Sequence, residues 1–127
     1  MIKPFVRRPV TWMLLASLLI IVFAFSACGE SGPAATVHIK ETKGPAGDVY
    51  TCDPASITIN KGDKVNFINE SDENQDFDAG DAKQAGVDFK IGLNQTVSVT
   101  FNNPGTFTIK SEKHDGTIMA TITVTVK

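Results

Sequence analysis

Apolar and polar residues alternate with period two along most of the chain after residue 35. Each apolar run places its Val, Ile or Phe side chains on one face and polar residues, often threonines, on the other. Such alternation is typical of half-buried strands. We predict strands within residues 36–41, 56–60, 64–69, 96–101, 106–110 and 117–127, and two brief ones near Phe77 and Phe89.

Turn-forming residues separate these runs. Clusters of Gly, Pro, Asn and Asp lie at residues 43–47, 60–63, 93–95, 102–105 and 114–116. No stretch after residue 35 has a helical period, and in the irregular segment 70–92 we expect only a loop or helical turn. Short strands rich in Val, Ile, Thr and Phe and separated by turns indicate an all-β fold, an antiparallel sandwich or barrel.

The first 27 residues have the layout of a secretory signal, in which basic residues precede an apolar stretch that ends in small residues before Cys28. A cysteine at this place resembles a bacterial lipobox, where it becomes the lipidated first residue. We therefore predict a lipoprotein signal peptide at 1–27, a lipid anchor on Cys28 and a flexible tether at 28–35. An uncleaved anchor helix is the alternative. Both place residues 36–127, the folded domain, at the cell membrane and outside the cytoplasm, in the periplasm or at the cell surface.

The charge and the cysteines narrow the classes of partner. Three of the 12 basic residues precede Cys28 and all 14 acidic residues follow it, so the remainder carries a formal charge of −5. This charge argues against nucleic acid and against electrostatic adhesion to anionic lipid. With Cys28 acylated, Cys52 has no partner within the chain, so packing alone must stabilise the domain. Cys52 is either a small buried residue or an exposed thiol that joins two molecules or binds metal.

Three segments resemble the cupredoxin family. They are P-A-S-I-T-I-N-K-G-D-K-V-N-F-I-N, then Q-D-F-D-A, and finally F-N-N-P-G-T-F-T-I-K-S-E-K-H-D-G-T-I-M-A-T-I-T-V. The resemblance covers roughly residues 36–127. It implies a Greek-key β-sandwich of about seven to eight strands. It also implies the place of a type 1 copper centre, which needs two imidazoles, a thiolate and usually an axial thioether.

The resemblance puts the four ligand positions on Gln75, Ser111, His114 and Met119. Counted back from the final strand, the methionine position falls nearer Ile118. Serine stays protonated at neutral pH and is a hard, poor copper donor, and a glutamine amide is a weak substitute for imidazole. We therefore predict that the chain lacks a functional type 1 copper centre and carries no cofactor.

Other residues suggest less specific chemistry. His114 and Met119 retain soft ligands for Cu(I), but two ligands alone indicate modest affinity, so we interpret them as turn and packing residues. His38 points outward by alternation and is expected to be solvated. The acidic run 70–81 lacks the glycine and distal glutamate of a hand-type calcium loop and is interpreted as a solvated loop. We find no nucleophile motif or phosphate loop and predict that the protein is not an enzyme.

Two functions of different classes follow. The first is a membrane-tethered binding module that presents its loops to an unknown protein or metal-uptake partner. The second is a copper-handling protein that uses His114 and Met119. Electron transfer is the third interpretation, and it needs a redox centre that the sequence does not supply.

Overall fold

The computed structural model describes residues 32–113 and 115–127. Ten strands and one short helix follow one another in this part of the chain. Their bounds are β1 Ala35–Thr42, β2 Val49–Asp53, β3 Ser56–Ile59, β4 Lys64–Asn69, β5 Gln75–Phe77, β6 Ala79–Gly80, α1 Ala82–Ala85, β7 Phe89–Ile91, β8 Thr96–Thr100, β9 Gly105–Glu112 and β10 Ile118–Val126.

The strands form a sandwich, which confirms the predicted all-β fold. One sheet has the order β2-β1-β4-β8, the other the order β3-β10-β9-β6, and β5 and β7 form a separate two-stranded sheet. Most ladders are antiparallel, but β1 pairs with β4 and β3 with β10 in parallel. The eight predicted strands are present. The structure adds β2 and the two-residue β6, and the expected helical turn in 70–92 is α1.

Alternation correctly predicted the buried face except at Ile118, which was expected to point inward and is exposed ahead of the bulge in the last strand. The inward residues of β1, β3, β4, β9 and β10 fill the space between the two sheets. Phe67, Phe77 and Phe89 lie together, with ring centroids 4.7 to 5.8 Å apart. Burial of three aromatic side chains is a large part of the apolar area of a small domain, so this cluster holds the two-stranded sheet against the core.

The sandwich has two distinct ends. The N-terminal pole consists of the beginning of β1, the turns 60–63 and 102–104, and Lys127. Backbone hydrogen bonds join these segments, from Ala34 N to Lys64 O at 2.8 Å and from Lys61 N to Lys127 O at 2.9 Å. The loop pole, at the other end, consists of the loops 43–48, 70–74 and 92–95 and the turn between β9 and β10. No helix within the described ranges has the length and apolar character needed to span a bilayer.

Candidate functional site

The structure brings Gln75 and Ser111 together at the loop pole. Gln75 begins β5 and is 1% exposed, and Ser111 lies near the end of β9 and is fully buried. The Ser111 hydroxyl donates a hydrogen bond of 2.7 Å to Oε1 of Gln75. Two of the four positions predicted from the resemblance therefore meet in space, although they are 36 residues apart in sequence.

A β-bulge in β10 faces Ser111. Ile118 pairs with Glu112 and Thr121 pairs with Lys110, so Met119 and Ala120 together face the single residue between those partners. A bulge frees a backbone group from the ladder. Ser111 Oγ accepts the Ala120 N–H at 2.9 Å, which satisfies that donor inside the core. The serine therefore has a structural role that its sequence position alone did not indicate.

The buried hydrogen bonds continue from Gln75 to Asn69. Gln75 Nε2 donates to Ser71 Oγ at 3.3 Å, and Ser71 Oγ donates to Asn69 Oδ1 at 2.7 Å. Asn69 Nδ2 donates to the carbonyl oxygen of Glu73 at 2.8 Å. We call Ser111, Gln75, Ser71 and Asn69 the polar chain. They are the four buried polar residues of the described part of the protein.

Sequence reasoning missed the role of Ser71 and Asn69. Asn69 belonged to the motif that carried the resemblance, but nothing in the pattern indicated that its amide holds a loop. Its Nδ2 also lies 3.3 and 3.2 Å from the carbonyl oxygens of Ile91 and Gly92. A polar residue at an inward position of an otherwise apolar strand, which Asn69 is in β4, was the available signal.

Met119 is half-buried and packs against the core. Together with Tyr50, Lys113 and Thr117 it lines a cavity of about 290 Å³ at the loop pole. His114 and Cys28 lie outside the described residues, so the predicted pairing of His114 with Met119 and the lipid anchor stay predictions. The Ile118 alternative is half-exposed at the beginning of β10.

The residues of the polar chain do not fit a type 1 copper ion. Ser111 Oγ gives its one hydrogen to Gln75 and accepts the Ala120 N–H, so both of its polar functions are used. A neutral hydroxyl and an amide are hard donors, whereas this centre requires a thiolate. Cys52, on β2, is buried, and burial raises the pKa of its thiol to about 12. Between residues 32 and 127, His114 excepted, no group of three or more His, Cys, Asp or Glu side chains could hold a metal.

The acidic run 70–81 is divided among separate partners. His38 is half-exposed and its Nδ1 lies 2.7 Å from Glu70, while Asp72 bonds to Lys43 at 2.6 Å. Asp76 pairs with Lys90. A cavity of about 600 Å³ lies beside this run and is lined by residues of both charge signs: Glu73, Asp76, Glu112, Lys90 and Lys113, together with Gln75 and its neighbours. Four of the six acidic residues of the run, Glu70, Asp72, Glu73 and Asp76, therefore lie beside basic partners.

Glu41 is a buried carboxylate beside this run. It points inward from β1, its side chain is 6% exposed, and its Oε2 accepts the Asp72 N–H at 3.0 Å. Its Oε1 has no hydrogen-bond partner among the described residues. The Asp72 N–H lowers the pKa of this carboxyl, but burial and the Asp72 carboxylate raise it, and the net shift is upward.

Comparison with known proteins agrees with the β-sandwich fold described above. Residues 39–127 match the family profile described as copper binding proteins of the plastocyanin/azurin family. A pseudoazurin from Sinorhizobium meliloti is 24% identical, with a TM-score of 0.53 and coverage of 73% of this chain and 72% of that one. An oxidized amicyanin with a proline-to-glycine substitution is 21% identical, with a TM-score of 0.53 and coverage of 80% and 88%. At these identities the structural likeness demonstrates the fold.

Proposed function

Since the chain belongs to the plastocyanin/azurin family of copper-binding proteins, we propose that it is a membrane-tethered, extracytoplasmic binding module without a type 1 copper centre. The module is not an enzyme. It keeps the cupredoxin fold and uses the loop pole to contact another protein, such as a component of a metal-uptake system.

The hydrogen bond between Ser111 and Gln75 is the observation that carries this proposal. In a copper centre the corresponding side chains would point lone pairs at a shared ion. Here the two side chains point at each other, at 2.7 Å, and exclude water. A buried polar pair that is fully satisfied stabilises one arrangement of the loops. The polar chain thus supplies a cross-link between β4, β5, β9 and β10 that needs no metal.

The tether is supported by the position at which the chain enters the fold. Residues 32–34 lead into β1 at the N-terminal pole, where the Ala34 N–H donates to the carbonyl of Lys64, the first residue of β4. The segment from Cys28 to Ala34 has seven residues. Fully extended, this segment spans at most about 25 Å. A lipid on Cys28 would therefore hold the N-terminal pole near the membrane and leave the loop pole facing away from it.

The composition of the loop pole supports a binding role. Three large apolar side chains are exposed in the described part of the chain, and all three lie at this pole: Val49, Leu93 and Ile118. Exposed apolar residues that share one end of a small domain are typical of protein contact surfaces. Charged residues of the loop 70–74 lie at the same pole, as at the rim of an interface.

Metal titration of the full-length chain in detergent tests the proposal. We expect native mass spectrometry to find no stoichiometric Cu(II) and absorption spectra to lack a thiolate-to-copper band. The double variant Ser111→Cys/Gln75→His restores the two missing donor types and should bind copper with colour. An intense band in the unmodified protein would refute the metal-free module, and a colourless, metal-free double variant would refute the positions assigned to the ligands.

Copper handling through His114 and Met119 is the second candidate. It is favoured by the thioether of Met119, which lines the cavity beside Lys113, the residue before His114. Cu(I) accepts few, soft ligands. Stoichiometric Cu(I) that disappears in both His114→Ala and Met119→Ala would replace the first proposal by this one. Electron transfer, the third candidate, requires in addition a reversible redox wave from the copper-loaded chain.

A further inference from the structure

The lysines of the domain divide into two groups according to their partners. Around the loop pole and on the adjacent strands, lysines lie within ion-pair distance of a carboxylate: Lys40 with Asp53, Lys43 with Asp72, Lys90 with Asp76 and Lys113 with Glu73. Five lysines have no carboxylate partner in the part of the chain that the structure describes: Lys61, Lys64, Lys83, Lys110 and Lys127. The paired lysines therefore lie at or near the loop pole, and the unpaired ones are distributed over several elements.

Three of these five lysines, Lys61, Lys64 and Lys127, are exposed and belong to the N-terminal pole, whereas Lys83 lies on α1 and Lys110 on β9. Lys61 and Lys127 are joined by a backbone hydrogen bond, and the carbonyl of Lys64 accepts the N–H of Ala34, just before β1. Asp63 is the one acidic residue among those that define this pole, and its carboxylate accepts the Asn60 N–H at 2.8 Å. The end of the domain where the tether leaves is therefore basic.

We propose that the N-terminal pole is a membrane-facing surface that contacts the headgroups of anionic lipids through Lys61, Lys64 and Lys127. This inference rests on the proposed tether, because a lipid on Cys28 holds this pole within reach of the leaflet. The partner is the phosphate-bearing anionic lipid surface itself. This contact sets the orientation of the domain relative to the membrane, with the loop pole facing away from it.

The formal charge of −5 does not prevent this contact. The eight residues of β1 separate the two poles by about 26 Å at a strand rise of about 3.3 Å per residue. The Debye length at physiological salt is about 8 Å. Carboxylates at the loop pole are therefore screened from a leaflet that touches the other end, whereas the three lysines lie within one Debye length of it.

The expected effect follows from the number of charges. A lysine close to an anionic leaflet strengthens association by roughly fivefold. Three lysines opposed by Asp63 and by the α-carboxylate of Lys127 amount to one net charge, so the membrane-facing orientation should be favoured by roughly fivefold over a freely rotating domain. High salt should remove this preference, because it shortens the screening length.

Energy transfer on the tethered full-length chain tests the orientation. A donor dye is placed at Leu93→Cys on the loop pole or at Asn102→Cys on the N-terminal pole, and acceptor dyes are placed on lipid headgroups. Cys52 does not compete for the dye, because burial raises its pKa to about 12. When phosphatidylglycerol is added to phosphatidylcholine nanodiscs, transfer from position 93 should fall and transfer from position 102 should rise.

Charge-reversal variants supply the control. Lys61→Glu/Lys64→Glu/Lys127→Glu should abolish the response to anionic lipid. Lys43→Glu/Lys90→Glu/Lys113→Glu has the same net charge but is altered at the opposite pole, and it should respond as the unmodified chain does. Equal transfer in both lipids, or equal behaviour of the two variants, overturns the membrane-facing surface. Failure of the tether is seen separately, because an unacylated Cys28 takes up dye in the chain without an added cysteine.

Discussion

Ser111→Ala should destabilise the domain more than any other serine substitution on its strands. The change removes one hydroxyl and leaves Gln75 Oε1 and the Ala120 N–H without the partner that each has at 2.7 and 2.9 Å. Both groups are buried, so water does not replace the hydroxyl. A buried donor or acceptor left unsatisfied costs about 1–3 kcal/mol.

Two such groups suggest a loss of about 3 kcal/mol, since Gln75 can partly relax while the backbone N–H cannot. For a domain of this size that loss corresponds to a fall in Tm of roughly 12–24 °C. Ser98→Ala is the matched control. Ser98 also bonds to a side chain, Asn66, but on the exposed face of a sheet, where substitutions usually change stability by about 0.5 kcal/mol or less.

Urea denaturation followed by far-UV circular dichroism measures the difference. We expect a lower midpoint for Ser111→Ala with an unchanged m-value. The double variant Ser111→Ala/Gln75→Leu should lose less stability than the two single variants added together, by about 0.5–3 kcal/mol, because the two side chains act as one unit. If Ser111→Ala loses no more stability than Ser98→Ala, the polar chain is not the cross-link that we describe.

Three further predictions follow from buried or constrained positions. The Cys52 thiol, whose pKa burial raises to about 12, should resist a disulfide reagent at neutral pH until denaturant is added; rapid reaction of the folded protein would contradict its burial. Glu41→Gln should raise stability at neutral pH but not in acid. The raised pKa of Glu41 in the folded state contributes stability that is present below the unfolded pKa and is lost as pH rises through the folded value. In thermal melts the variant should therefore have a higher Tm than the unmodified chain at neutral pH but not at acid pH. Gly80→Ala should cost more than Gly62→Ala in thermal melts, because both have positive φ but only at Gly80 would the added methyl meet the Thr108 carbonyl oxygen; equal losses would disprove that steric argument.

The alternating pattern was sufficient for the strands that form the two main sheets. It also identified their buried faces, because burial of one face requires apolar residues at every second position. β2 was missed although Tyr50 and Cys52 are buried, since its two inward residues are not the Val, Ile and Phe that defined the predicted strands. β6 has two residues, too few for any period.

The net charge gave an incomplete picture of the surface. A value of −5 argued against contact with anionic lipid, because a sum over residues does not contain their positions. The fold brings Lys61, Lys64 and Lys127 to one end and most of the acidic run to the other. Only the three-dimensional arrangement shows this separation, which exceeds the screening length.

The sequence alone determined the strands, their inward faces and the absence of a thiolate at position 111, because these depend on residue type and local period. The tertiary structure decided what the substituted residues do. Ser111 contacts Gln75 only because the fold packs β5 against β9, although the two residues are 36 apart in sequence. Its hydroxyl is needed only because β10 has a bulge opposite it. Contacts between distant segments depend on sheet packing and register, and no local pattern of residue types encodes them.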